Sequence, residues 1–413
     1  MINADELGDV LRLGNIPDEE LVGVLGGFFP LSGWQSENCV TYFNEQGHVL
    51  DLVYSTKGHV MRCEPGPDLT DEIVVMLRER TRETFESDTG FEVRRAIMFS
   101  VPEVSGFWRH GDEWQIMPAP PNAPRPGFQL GEHPLILEYR VRKSTNDAIA
   151  IMRSRRRYWE LRLLFSLLLR DQITSGSDTL PYHWVMLPEP TTGEVHTEYV
   201  NEGYMVGGDF TALADNFSDP AEHPRLLVTP DDEYYARRGV REEGMDLPTC
   251  LDAAFDRFDN ADARTRDKLL RASYWLDASY RVWDLSKSLS YIAAINAVEA
   301  LVPKSKPDRC PCCELDRSPG PTARFRNFVE TYAANEAPQK RTEMYRLRSI
   351  LVHGDGLHNL EIPHAWGTLS PGKIQHRELH KAALAVSRTT IRTWFLDAAT
   401  VPNLSQCNPK VLG

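Results

Sequence analysis

The chain lacks the features that would tie it to a bilayer, an oxidising compartment or nucleic acid by bulk charge. No apolar run in its 413 residues is long enough to span hydrocarbon. The opening MINADELGDV does not show the basic-then-apolar order of a secretory signal. Seven cysteines, unevenly spread, are too few for a disulfide scaffold and fit a reducing cytosol. Positive charge is also short, with 46 Lys and Arg against 59 Asp and Glu and a net charge of −13. Promiscuous nucleic-acid binding is disfavoured, because counterion release needs clustered cations, although a local basic cleft remains compatible with this total. Hydrophobic residues at 41% and charged residues at 25% are what a soluble globular protein carries. The length favours two or three domains over one core.

The fold class expected is α+β: a mixed α/β domain over residues 1–230 and an all-α bundle over 231–413. Between Trp34 and Val206, runs such as CVTYF (Cys39–Phe43), HVLDLVY (His48–Tyr54), FEVRRAIMFSV (Phe91–Val101), LILEYRVR (Leu135–Arg142) and YHWVML (Tyr182–Leu187) read as strands. PAPPNAPRPG (Pro118–Gly127) reads as irregular. Two helices are expected within this region, over Asp71–Thr84 and Asn146–Ile173.

The second of these carries Arg153, Arg155, Arg156 and Arg157, followed by Tyr158 and Trp159. Such a basic and aromatic cluster suits RNA phosphates and bases. A solvated helix face, with Leu161, Leu164, Phe165 and Leu168 turned to the core, explains it more simply.

From Asp231 onward helical patterns dominate. Expected helices begin after Asp246, continue through RTRDKLLRASYWLDASYR with Leu269, Leu270, Tyr274 and Leu276 apolar, and include Ser286–Val302. In that last segment Ser286 is a candidate N-cap, and Leu289, Ile292, Ala293, Ala297 and Ala300 form a stripe. Helices over Thr322–Ala334, Gln339–His353 and His376–Ala399 complete a bundle of five or six with short connections.

EMYRLRSILVHGDG (Glu343–Gly356) is the most informative stretch. Met344, Leu347 and Leu351 form a core-facing stripe that Ile350 broadens, and Arg348 and His353 lie outside it. Those two are about 140° apart around the axis at roughly 100° per residue, so a site using both belongs where the helix ends. Gly354 suits a left-handed terminator, leaving His353 at the negative end of the helix dipole, which favours the protonated imidazole. A histidine for proton transfer and an arginine for phosphate oxygens match RNA cleavage by the neighbouring 2′-hydroxyl. One chain supplies one such histidine, so acid and base together call for a symmetric dimer. No metal is required for this chemistry.

YRLRSILVHG resembles the Arg-x4–6-His motif of HEPN (higher eukaryotes and prokaryotes nucleotide-binding) domains, and more narrowly the Apea-like HEPN group. INAVEALV (Ile295–Val302), RCPCCE (Arg309–Glu314), RFRNFVETYA (Arg324–Ala334) and RELHKAALAVSRTTIRTWF (Arg377–Phe395) agree with that group in order and spacing. The likeness covers about Asp246 to Ala399. It implies a dimerising helical bundle and a metal-independent endoribonuclease of prokaryotic antiviral defence or toxin–antitoxin systems, restrained until a trigger reaches it through the N-terminal domain. In that reading Arg348 stabilises phosphate and His353 transfers protons. Ser349 stands where active nucleases often have Asn, Asp or His, and Arg346 offers an Arg-x6-His alternative. Glu299 is a candidate to hold either arginine by a buried pair, and facing another helix is an equal alternative for it. HEPN domains also serve as non-catalytic modules that bind nucleotide or a partner protein; in such a module Arg348 bridges a carboxylate and His353 caps carbonyls.

Cys310 and Cys313 form a C-x-x-C pair in a Pro-rich loop. A structural zinc, a redox pair and free cysteines all fit this spacing. A zinc would draw its other ligands from Cys312, Cys250, Cys407, His358 and His364. The polar segment Asp355–Lys373 reads as a loop near the helix end; Asp355, His358 and His364 are within reach of the site, but surface loop residues are the simpler reading for each.

Overall fold

The computed structural model describes residues 2–45, 47–86, 90–121, 123, 125–126, 133–174, 182–189, 192–201, 214–220, 223–236, 244–304, 319–362 and 370–396. Two short helices open the chain, α1 (Ala4–Leu11) and α2 (Asp18–Phe28). The first starts on a capping box, in which Asn3 and Glu6 each satisfy the other's backbone N–H. A four-stranded antiparallel meander follows, β1 (Leu31–Ser36), β2 (Cys39–Asn44), β3 (Gly47–Tyr54) and β4 (Val60–Pro65), and then α3 (Asp71–Glu86). Leu7, Leu11, Leu21, Leu25, Leu50, Leu52 and Leu77 unite these elements in one apolar cluster. Sequence patterning alone gave no sign of α1 or α2.

The second sheet has five strands: β5 (Phe91–Ser100), β6 (Trp108–His110), β7 (Trp114–Pro118), β9 (His133–Arg142) and β10 (Ile173–Thr174). Their order is β10-β5-β9-β7-β6. Across it lies α4 (Asp147–Leu168), whose N-cap Asn146 accepts from the amides of Ala148 and Ile149. This helix ends five residues before the sequence suggested. Leu169 turns to extended backbone, and Ile173 leaves to pair with Ser100 as an edge of the sheet. A third sheet joins β8 (Arg125–Pro126), β11 (Tyr182–Pro188) and β12 (Val195–Asn201). Its first strand corrects the expectation that Pro118–Gly127 holds no regular structure: Arg125 and Pro126 pair with Met186 and Val185. Proline is tolerated there because β8 is an edge strand.

The short β13 (Leu227–Thr229) and β14 (Asp246–Pro248) pair in parallel around α5 (Asp231–Ala236). Beyond them, among the described residues, are six α-helices: α6 (Leu251–Asn260), α7 (Ala263–Arg281), α8 (Lys287–Glu299), α9 (Pro321–Tyr332), α10 (Arg341–His353) and α11 (Pro371–Leu396). Not every connection is short, since α8–α9 and α10–α11 are each separated by more than fifteen residues. Ser286 caps α8 through the Leu289 amide, as its position suggested. Leu289 itself, assigned to the buried stripe, is 58% exposed, and Tyr274 of α7 is also exposed. Both lie on helix faces that no described neighbour covers.

The apolar interior runs across residue 230. Trp114, Leu137, Leu161, Phe165 and Leu168 share one cluster with Phe255, Leu269, Leu276 and Phe395. In its middle is a carboxylate, Asp277 of α7, 2% exposed. Arg162 Nη1 of α4 lies 2.7 Å from it, Ser166 Oγ donates to it at 2.7 Å, and Arg281 Nε lies 2.8 Å away. Removing one member of such a group leaves a buried charge uncompensated. Asp277→Ala is therefore expected to lower unfolding free energy by about 3–5 kcal/mol, read by urea denaturation. Asp267→Ala, on an exposed pair of the same helix, should change it by less than ~1 kcal/mol. Equal effects of the two would show that the buried group does not hold α4 to α7.

Candidate functional site at the end of α10

The helix α10 ends in a Schellman arrangement. Gly354 takes φ +76°, its amide meets the Leu351 carbonyl, and the Asp355 amide reaches the Ile350 carbonyl at 3.0 Å. A β-carbon is strained at that φ, which explains glycine there. The carbonyls that end the helix are thus satisfied by backbone, and His353 is not needed as their cap. Its side chain is exposed and makes no hydrogen bond or ion pair among the described residues.

One face of α10 is core: Met344, Leu347 and Leu351 are buried, and Ile350 half-buried, as periodicity suggested. Arg348 leaves that face toward α8. Its Nη2 lies 2.7 Å from Glu299 Oε2 and 3.3 Å from Asn296 Oδ1, while its Nε is buried without a partner. Tyr345 donates its hydroxyl to the other Glu299 oxygen at 2.7 Å, and its ring lies 5.7 Å from the guanidinium carbon. Burial and this bond to a carboxylate push the Tyr345 hydroxyl up to about 12, so it remains a donor at neutral pH. Arg348 and Glu299 are 22% and 27% exposed. A pair that wet contributes at most about 1 kcal/mol, so its main effect is to fix where the guanidinium sits. Arg346 is exposed, with no side-chain partner among the described residues, and Ser349 is half-buried. Between the two arginines considered, it is Arg348 that Glu299 holds.

The segment after α10 departs from the surface loop expected. Glu361 accepts from Ser288's amide and hydroxyl and from the Ser286 hydroxyl, which ties the loop to the first turn of α8. His358 is fully buried, a correction to its assignment as a surface residue. Its ring is 4.9 Å from that of His376 and 5.1 Å from that of His380, centroid to centroid. Trp283 and Tyr291 complete the surroundings of His380, whose Nε2 meets the Ser290 hydroxyl at 2.9 Å. His358 Nε2 and His380 Nδ1 are buried without partners. Burial first, and then repulsion from His376 on His358 and from His358 on His380, push His358 down to about 4 and His380 to about 3. Asp355 is exposed.

Cys310, Cys312, Cys313, His364 and Cys407 lie outside the described residues. Of the other zinc candidates, Cys250 contacts the Tyr235 hydroxyl at 3.7 Å and His358 belongs to the histidine cluster, so the two are in different surroundings. Among the described residues, no group of three His, Cys, Asp or Glu side chains is placed to hold a metal ion.

The four arginines of α4 are not one patch. Arg153, Arg156 and Arg157 fall at i, i+3 and i+4 on one face, and Arg155 points to solvent elsewhere. Arg153 pairs with Glu20 at 2.7 Å, Arg156 with Glu160 at 3.4 Å, and Arg157 with Asp259 at 3.1 Å. Sequence reading passed over those acidic partners because Glu20 and Asp259 are more than one hundred residues away.

No family model, curated protein or solved structure matches the chain. No described helix is long and apolar enough to cross a membrane.

The histidine cluster generates a pH prediction. His358 and His380 titrate below the ordinary 6.5, so both are neutral in the folded protein near pH 7. Their folded values are depressed, so the unfolded chain binds protons first as pH falls. Stability is complete above about pH 6.5 and declines progressively from there toward pH 4. Urea midpoints measured between pH 7.5 and 4.5 should fall more steeply for the wild type than for His380→Gln, which has one ring fewer to protonate. Parallel curves would remove the cluster as the source of acid lability.

Proposed function

We propose that the helical C-terminal part is an HEPN-type, metal-independent endoribonuclease, active as a dimer that brings Arg348 and His353 from each chain into one cleft. The observation that carries this reading is the end of α10. Arg348 is held in place by Glu299 with one guanidinium nitrogen still unpartnered, and His353 stands exposed one turn later with no structural task. A Schellman end that caps itself leaves the imidazole available for proton transfer. Arg348 supplies a permanent charge for the crowded phosphorane, with Tyr345 and Asn296 helping to orient Glu299 and the guanidinium. One His353 acts as base toward the 2′-hydroxyl and its counterpart as acid toward the leaving oxygen, which is why two chains are needed. Ser349, half-buried beside Arg348, is a further hydrogen-bond donor for phosphate.

The same ion pair favours a second reading. An arginine already bridged to a carboxylate is what a non-catalytic HEPN module, binding nucleotide or a partner protein, would show. The two readings part on RNA cleavage with EDTA present throughout. Wild type is expected to cleave, with His353→Ala and Arg348→Ala each lowering the rate by about 10²–10⁴ while leaving melting temperature and dimer mass unchanged. The 22% exposure of Arg348 makes its loss mild for the fold. Cleavage at equal rates by all three proteins would exclude this site from the mechanism. No cleavage by any, and no growth defect in cells expressing them, would favour the binding module.

A further inference from the structure

A second site stands in the N-terminal half, independent of the ribonuclease reading. The face of α4 that carries Arg153, Arg156 and Arg157 forms one wall of a cleft of about 530 Å³. Arg140 and Arg142, two apart on β9 and so on one side of the strand, form a second wall. Arg266, from the first turns of α7, and Arg12, from the end of α1, close it. Arg12 has a left-handed φ of 57°, a conformation that costs an arginine more than a glycine. Four elements, distant in sequence, thus bring seven arginines to one concavity in a chain whose net charge is −13.

The carboxylates in the lining do not balance them. Glu20 and Glu160 contribute, and Arg157 also pairs with Glu113 and Asp259 outside the lining. Glu20 is taken by Arg153. Glu160, 4% exposed, is shared by Arg156 at 3.4 Å, Arg157 at 3.7 Å and Arg266 at 3.5 Å. Arg140 makes no ion pair among the described residues, and its guanidinium rests on the Phe91 ring at 3.9 Å. Like charges gathered in this way repel one another, and an anion between them relieves that repulsion. Guanidinium forks match phosphate oxygens in pairs. Apart from Asn15 the remaining lining is apolar, with Phe85, Ile16, Pro17 and Val141 offering a surface for a flat ring.

We propose that this cleft binds a small phosphorylated ligand of nucleotide size, its phosphates among the arginines and its base against the Phe85 side. The volume is that of a small-molecule site. A continuous RNA strand fits less well, because it needs a long open basic track, and here Glu20 and Glu160 interrupt the arginines.

Calorimetry on the full chain, with ATP, inorganic tripolyphosphate and adenosine as separate probes at physiological ionic strength, tests this. ATP and tripolyphosphate are expected to bind and to compete, ATP the tighter, with adenosine alone too weak to detect. The double variant Arg140→Ala, Arg156→Ala should weaken ATP at least about tenfold, since each arginine offers charge-assisted hydrogen bonds. Arg62→Ala, on β4 and paired with Glu64, should leave binding unchanged. Both cleft side chains reach solvent, Arg156 to 57%, so an unaltered melting curve is expected and separates lost binding from lost folding. Three results would overturn the proposal: no binding of either phosphate probe, equal weakening by Arg62→Ala, or binding of a single-stranded RNA oligomer through these arginines when neither ATP nor tripolyphosphate binds.

Discussion

The buried carboxylate of Asp277 is the constraint from which most of this architecture follows. A charge at 2% exposure is tolerated only when compensated, and here Arg162 and Ser166 on α4 donate to it while the Arg281 cation lies 2.8 Å away on its own helix. Two segments more than one hundred residues apart are therefore fixed in register, not merely pressed together. Apolar packing between α4 and α7 tolerates small slips; a guanidinium and a hydroxyl each donating to a different oxygen of one carboxylate do not. Because the same cluster contains Trp114 and Leu137 of the sheet and Phe255 and Phe395 of the helices, the two halves share one interior.

That fixed junction gives α4 two different ends. Its C-terminal half is buried on every side, with Leu161, Leu163, Leu164 and Phe165 at 0% exposure beside the polar Arg162 and Ser166 that meet Asp277. Its N-terminal half displays arginines, which Glu20, Glu160 and Asp259 only partly neutralise. On the far side of α7, α8 presents Asn296 and Glu299 to α10, and Glu361 fastens the following loop to the start of α8. The helix α8 is thus a scaffold for the candidate site at both of its ends: by a carboxylate aimed outward at the C-terminal end and by amides receiving a carboxylate at the N-terminal end.

Legibility in the sequence followed sequence distance. The stripe of Met344, Leu347 and Leu351, the glycine stop at Gly354, the Ser286 cap and the core side of α4 are local patterns, and each is where periodicity or capping chemistry placed it. The α+β class followed too, with antiparallel sheets before a helical C-terminal region. What stayed hidden depends on distant partners. Leu289 reads as core on a helical wheel and is exposed, because nothing in the wheel says whether a neighbour arrives. His358 sits in a polar, Gly-containing stretch and reads as surface. Its burial needs Tyr291, His376 and His380, which only the fold delivers. Arg140 and Arg142 look like ordinary outward residues of a strand until α4, α7 and α1 bring five more arginines to them.

The rigid junction also limits how the N-terminal half can act on the helical half. Control from a distance needs an element with two accessible arrangements. The Asp277 group is not one, since breaking it costs several kcal/mol and exposes unpaired charge. The loop from Asp355 to Ile362 is a better candidate for such an element. Glu361 holds it by hydrogen bonds at the rim of α8, and its buried His358, like His380 of α11 next to it, keeps one ring nitrogen without a partner. Burial and repulsion act against charge on those rings, so the loop is held by polar bonds over a core that resists protonation. The hold near His353 is therefore weakest at this loop and strongest in the shared interior.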